Sequence, residues 1–75
     1  MATLLSHKKE PGSCKVVHIT GPQASRLLEM GITPGIDLKV IRTAPLGFPI
    51  EVKVRGYLLS LREAEAQCIE IEDER

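Results

Sequence analysis

The sequence has no tryptophan and a single phenylalanine and tyrosine, Phe48 and Tyr57. A small β domain that captures proline-rich peptides needs a groove lined by several aromatics. These two offer a minor anchor rather than such a groove. An excess of charge of one sign is also missing, since ten Lys and Arg balance ten Asp and Glu. Nucleic acid is therefore not an expected partner, because phosphate neutralisation supplies most of that affinity. Uninterrupted apolar runs are short, and Met1 to Pro11 carries His7, Lys8, Lys9 and Glu10 where a signal peptide would be apolar. The expectation is a soluble chain, neither exported nor inserted into a membrane. Cys14 and Cys68 lie far apart and outside any Cys-x-x-Cys pair. They read as reduced thiols in a cytoplasm rather than as a disulfide framework.

The residues of common catalytic sites are equally sparse. A nucleophilic triad needs a Ser or Cys beside a His and an orienting acid, yet the only histidines are His7 in the polar lead and His18 in a β-branched run. Gly47 and Gly56 are isolated turn glycines, not a phosphate-binding loop. Glu51 sits among cations, and Glu70, Glu72, Asp73 and Glu74 cluster at the C-terminal end, a pattern of solvated charge. No catalytic residue and no cofactor are assigned. The metal candidates are Cys14, His18 and Cys68, a set suited to a soft or borderline ion. Residues 14 and 18 share one side of an extended strand but stand roughly 13 Å apart, too far for one ion without a bulge. Small buried cysteines explain the same residues.

What is present describes one small domain. With 75 residues, 43% of them hydrophobic and 27% charged, the chain belongs to the globular class and buries about 60% of its unfolded surface. Lys15 to Ile19 reads as a strand ending at Thr20-Gly21-Pro22. Thr20 and Gln23 form a capping-box pattern for a short helix near Gly21 to Met30, with Leu27 and Leu28 on its apolar face and Gly31 as its stop. Thr33-Pro34-Gly35-Ile36 suits a type II turn into a strand from Asp37 to Thr43. After the loop Ala44 to Pro49, Ile50 to Arg55 alternates with period two, and Arg55-Gly56 makes a hairpin turn into Tyr57 to Leu61. Ser60 and Glu63 suggest a single helical turn within Leu61 to Ala66 before a last strand, Cys68 to Glu72. The implied architecture is mainly β: a small closed barrel of about five strands with one short α-helix after the first strand. Residues 1–10 form a loose lead, 11–72 the domain and 73–75 a loose end.

The run from Arg26-Leu-Leu-Glu-Met-Gly-Ile-Thr-Pro to Gly35, then Ala44-Pro-Leu-Gly47, Val54-Arg-Gly-Tyr57 and Leu59-Ser-Leu-Arg62 resembles the Feo ferrous-iron transport protein A (FeoA) family. The order and spacing match, and Glu65-Ala66, Ile69 and Ile71 extend the resemblance over about Pro11 to Glu72. It implies an SH3-like barrel in the cytoplasm, supporting by direct contact a membrane ferrous-iron transporter that carries a GTPase domain (FeoB-type). It does not imply that this chain carries iron. The expected contact residues are Arg26 and Glu29 on the helix face opposite Leu27 and Leu28, and Leu46 and Phe48 in the loop. Phe48 stands where the family often has aspartate, so an aromatic replaces a turn-favouring anion. Folding back of Leu46 or Phe48 onto the barrel is the competing reading of the loop. Two alternatives remain: the SH3-like domain of metal-dependent repressors, whose winged helix-turn-helix this sequence lacks, and a small transition-metal-binding protein. Met1, ten residues ahead of the domain, is expected of a stand-alone protein, and self-association stays open.

Overall fold

The computed structural model describes residues 2–8 and 10–73. Among these residues six strands run in chain order: β1 (Thr3–Leu4), β2 (Gly12–Ile19), β3 (Asp37–Thr43), β4 (Ile50–Val54), β5 (Tyr57–Leu61) and β6 (Ile69–Asp73). All pair antiparallel in one sheet of order β1-β6-β2-β3-β4-β5. Two short helices join them, α1 (Ala24–Glu29) between β2 and β3 and α2 (Glu63–Ala66) between β5 and β6.

Period-two alternation builds the core. In β4, Ile50, Val52 and Val54 are buried while Lys53 faces solvent. Val16, Val40, Leu61, Ile69 and Ile71 join them from the neighbouring strands, and Leu27 and Ile32 cover them from α1 and its exit. Each such burial stabilises by about 1.5–3 kcal/mol. The hairpin turn is as the sequence implies: Arg55 (φ 51) and Gly56 (φ 86) both occupy the left-handed region, as a two-residue turn of this twist demands. The stop of α1 is a Schellman motif, in which the Ile32 N–H reaches the Leu27 carbonyl at 3.0 Å and the Gly31 N–H the Leu28 carbonyl at 3.0 Å.

Several expectations are corrected. Among the described residues the sheet is not a closed barrel of five strands; it has six, and β1 and β5 lie unjoined at its two ends. Closure fails because β1 is only two residues long and its pairing is spent on β6, with Thr3 opposite Ile71 and Leu4 opposite Glu70. The lead is not loose over its whole length. After β1 a 3₁₀ turn, Leu5–His7, sends Leu5 fully into the core, and Lys8 Nζ meets Asp73 Oδ1 at 2.7 Å. Asp73 thereby belongs to β6 rather than to a loose end, whereas residues 74 and 75 lie outside the described residues. The first helix is shorter than the sequence suggested: Gln23 is its N-cap and no side chain caps it, because Gly21 (φ 94) and Pro22 form a turn first. In α2 the cap likewise shifts, since the Arg62 N–H donates to Glu65 Oε1 at 2.8 Å in place of the expected Ser60 and Glu63.

Candidate functional site

Cys14, His18 and Cys68 come from three different environments. Cys14 points into the core from β2 and its thiol donates to the Leu38 carbonyl at 3.4 Å. Cys68 precedes β6, is 6% exposed, and donates to the Ala64 carbonyl at 3.4 Å. The β2–β6 ladder slips between Val16 and His18. That one-residue bulge reverses the side-chain alternation beyond it, so His18 is turned outward opposite Glu70 while Cys14 stays inside. The bulge that could have shortened the 14-to-18 distance instead separates the two across the sheet. Among the described residues no three His, Cys, Asp or Glu side chains converge on a point that could hold a metal ion, so these residues do not fit a shared ion.

The expected contact residues divide differently. Arg26 and Phe48 come together on the walls of an open groove of about 500 Å³. Arg26 and Met30, four residues apart and hence on one face of α1, form one side; Phe48 of the 44–49 loop forms another; Ser60, Arg62 and Glu65 close the third. Phe48 also packs on the core, so the folded-back reading holds for it, while Leu46 projects from the same loop at 96% exposure. Two backbone bonds fix that loop, from the Ala44 N–H to the Pro49 carbonyl at 3.1 Å and from the Gly47 N–H to the Ala44 carbonyl at 2.8 Å, and the Phe48-Pro49 peptide is cis. Glu29 is exposed on α1 but does not line the groove. Leu28, expected on the apolar face, is 46% exposed; Leu27 alone is buried from α1.

Sequence reasoning missed Met30, Arg62 and Glu65. Glu65 is the unusual member, a carboxylate only 6% exposed. One oxygen accepts from the Arg62 N–H and the other lies 3.6 Å from Arg26 Nε. Burial of a charge is tolerated when it is paired and hydrogen-bonded in this way. The groove therefore combines the apolar Met30, Phe48 and Pro49 with the cations Arg26 and Arg62 and the carboxylate of Glu65. Beside it, a smaller recess of about 280 Å³ is edged by Arg42, Ala44, Pro45 and Glu51. The Arg42 Nε donates to Glu51 Oε1 at 2.8 Å, and that hydrogen bond together with the charge of Glu51 raises the guanidinium above its ordinary pKa.

A tether holds the helix end of the groove. Arg55 Nε donates to the Gly31 carbonyl at 2.8 Å and Nη2 to Thr33 Oγ1 at 3.1 Å, and the Tyr57 hydroxyl donates to the Met30 carbonyl. The hairpin thus satisfies carbonyls that the end of α1 leaves open.

Among the described residues, no helix is long and apolar enough to cross a membrane. Residues 3–73 match the family model described as FeoA domain. A curated relative, the Fe(2+) transport protein A/Fe(2+) transporter FeoB fusion protein of Porphyromonas gingivalis, is 40% identical over 47 residues; these cover 63% of this chain and 6% of the relative. The chain thus spans a small part of the curated relative it matches. A FeoA-like protein from Clostridium acetobutylicum superposes with a TM-score of 0.91 at 32% identity, covering 99% of this chain and 88% of that one. Zinc-complexed FeoA from Stenotrophomonas maltophilia, described as an SH3 domain protein, gives a TM-score of 0.78 at 23% identity over 93% of this chain and 89% of that one. The fold is therefore SH3-like, an open sheet notwithstanding. The manganese regulator SloR shares this fold at 19% identity, with a TM-score of 0.84 over 96% of this chain and 34% of that one.

Proposed function

We propose that this chain, which belongs to the FeoA domain family, is a non-catalytic cytoplasmic accessory protein of bacterial ferrous-iron uptake that acts by contact with a FeoB-type membrane transporter carrying a GTPase domain. The observation that carries this reading is the Porphyromonas gingivalis relative, in which an Fe(2+) transport protein A segment and the transporter FeoB share one polypeptide. Fusion removes the translational cost of association between two parts that work together. The groove bounded by Arg26 and Phe48, with Leu46 projecting nearby, is the contact surface in this proposal. It offers an aromatic, a thioether and arginines, residue types enriched in interfaces.

The test is binding of the purified chain to the transporter's cytoplasmic GTPase region and to the whole transporter of the same organism, with and without nucleotide and ferrous iron. Saturable binding that weakens by about tenfold in Arg26→Glu and in Leu46→Ser, a loss of about 1.4 kcal/mol, supports both role and surface. Unchanged affinity of both variants removes the surface, and absence of binding in every state removes the role.

A second reading, a small transition-metal-binding protein, draws on the zinc complex of the Stenotrophomonas maltophilia neighbour. Metal analysis of the purified chain and of Cys68→Ser separates it, since cysteine ligation requires metal content to fall in the variant. A third, a regulatory domain of the repressor type, draws on the fold shared with SloR, and contact with a DNA-binding partner in place of the transporter would favour it.

A further inference from the structure

Strand β5 ends the sheet, and among the described residues nothing pairs with its outer side. The two-residue turn fixes which of its groups are left over. Val54 and Tyr57 flank that turn and form a hydrogen-bonded pair, as do Val52 with Leu59 and Ile50 with Leu61. The N–H and C=O of Leu58 and Ser60 consequently point away from the sheet. Edge strands are ordinarily blunted by charge, proline, a bulge or brevity. Tyr57-Leu58-Leu59-Ser60-Leu61 has no charge and no proline, and its ladder with β4 runs without a bulge. Leu58 is 62% exposed and Tyr57 42%.

The charge beside this edge is one-sided. Lys39 of β3 lies opposite Lys53 of β4, which lies opposite Leu58 of β5. Like charges directly opposite destabilise a ladder, yet among the described residues neither lysine has an ion-pair partner. In the next row Glu51 is already neutralised by Arg42. Beyond the end of β5, Arg62 leads into the groove beside Met30 and Phe48.

We propose that β5 is a strand-addition site for an extended segment of another protein that alternates acidic and apolar residues. Its backbone pairs with the N–H and C=O groups of Leu58 and Ser60. Its acidic side chains lie on the outer face, where Lys53 is two strand spacings away, roughly 10 Å, a gap that a lysine and a glutamate span together. Its apolar side chains lie on the inner face, beside Tyr57 and Leu59. Main-chain pairing supplies affinity and the alternate side chains supply selectivity. A second copy of this chain is the less favoured occupant, because its own β5 would bring another unpaired lysine row, while its acidic strand β6 is already paired between β1 and β2.

The experiment uses the full ¹⁵N-labelled chain and the peptide acetyl-Val-Glu-Val-Glu-Val-Glu-amide, and is independent of the transporter's identity. The expected result is saturable shifts centred on the Leu58 and Ser60 amides, with slowed hydrogen exchange there. Replacing glutamate by lysine in the peptide should weaken binding about threefold or more, from one exposed attraction to Lys53 turned into a repulsion. N-methylation of its inward amides should abolish binding, and Lys53→Glu should reverse the charge preference while thermal melting does not fall, because the new carboxylate faces Lys39. The proposal fails if the peptide does not bind up to millimolar concentration, if the N-methylated peptide binds equally, or if shifts centre elsewhere. It also fails if the chain alone dimerises in sedimentation and Leu58→Lys disperses it, for then a second copy is the occupant.

Discussion

Leu5→Ala should destabilise the protein severely although residue 5 lies in a segment whose sequence reads as an unstructured lead. Leu5 is fully buried in the core, held there by β1 on one side and the Lys8–Asp73 pair on the other. Removing a buried leucine side chain costs about 2–5 kcal/mol through lost transfer energy and the cavity left behind. A chain of 75 residues has a total stability of roughly 4–11 kcal/mol at the usual per-residue values. A loss of about 3 kcal/mol therefore removes from about a quarter to about three quarters of the stability. At about 4–8 °C per kcal/mol for a domain of this size, a 3 kcal/mol loss lowers the melting temperature by roughly 12–24 °C. Calorimetry and urea titration of the two proteins would measure it, with the urea midpoint falling and the slope unchanged. A loss below about 1 kcal/mol, the range of ordinary surface changes, would refute the placement of Leu5 and with it the correction to the lead.

The loop offers a contrast within three residues. Phe48→Ser should cost about 2–4 kcal/mol because Phe48 packs on the core, whereas Leu46→Ser should leave the urea midpoint within about 0.5 kcal/mol because Leu46 is 96% exposed; equal losses would mean that both are packed. Gly21→Ala combines strain at φ 94 with a Cβ that would lie 2.8 Å from Cys68 Sγ. Cys68→Ala should relieve the overlap and not the strain, giving a double-mutant coupling of about 1 kcal/mol in urea titration. Iodoacetamide should alkylate Cys68, at 6% exposure, faster than Cys14, at 0%, with Cys14 reacting at the rate of global opening. Peptide mapping of a time course reads the order, and equal rates would place both thiols in one unfolding unit.

How much of this was legible beforehand depends on the range of the interaction involved. β4, the Arg55-Gly56 turn, β5 and the Gly31 stop of α1 were readable because each rests on contacts within a few residues: alternation, two left-handed positions in succession, and a helix end that needs a left-handed residue. The core residues of β3, β4, β5 and β6 followed from the same periods, whereas Leu5 did not. β1 was not readable, because two residues carry no period; Thr3 and Leu4 become a strand only when Ile71 and Glu70 are there to pair with. The facing of His18 was beyond reach for a related reason, since a single bulge in β2 decides it and the bulge exists only in the ladder with β6.

The candidate site divides along the same line. Arg26 and Phe48 were named separately, one on a helix and one on a loop, with no local signal that they would meet; only packing of α1 and α2 beside the end of β5 brings them to one groove with Met30, Arg62 and Glu65. By itself the sequence determined the β-rich class, the turns, the apolar faces and, through spaced motifs, the FeoA resemblance, because those are written at short range. The tertiary structure alone decided the number of strands, the open ends of the sheet, the separation of Cys14 from His18 and the composition of the groove. Each of these depends on which distant segments pair, and a single chain of letters does not carry that pairing.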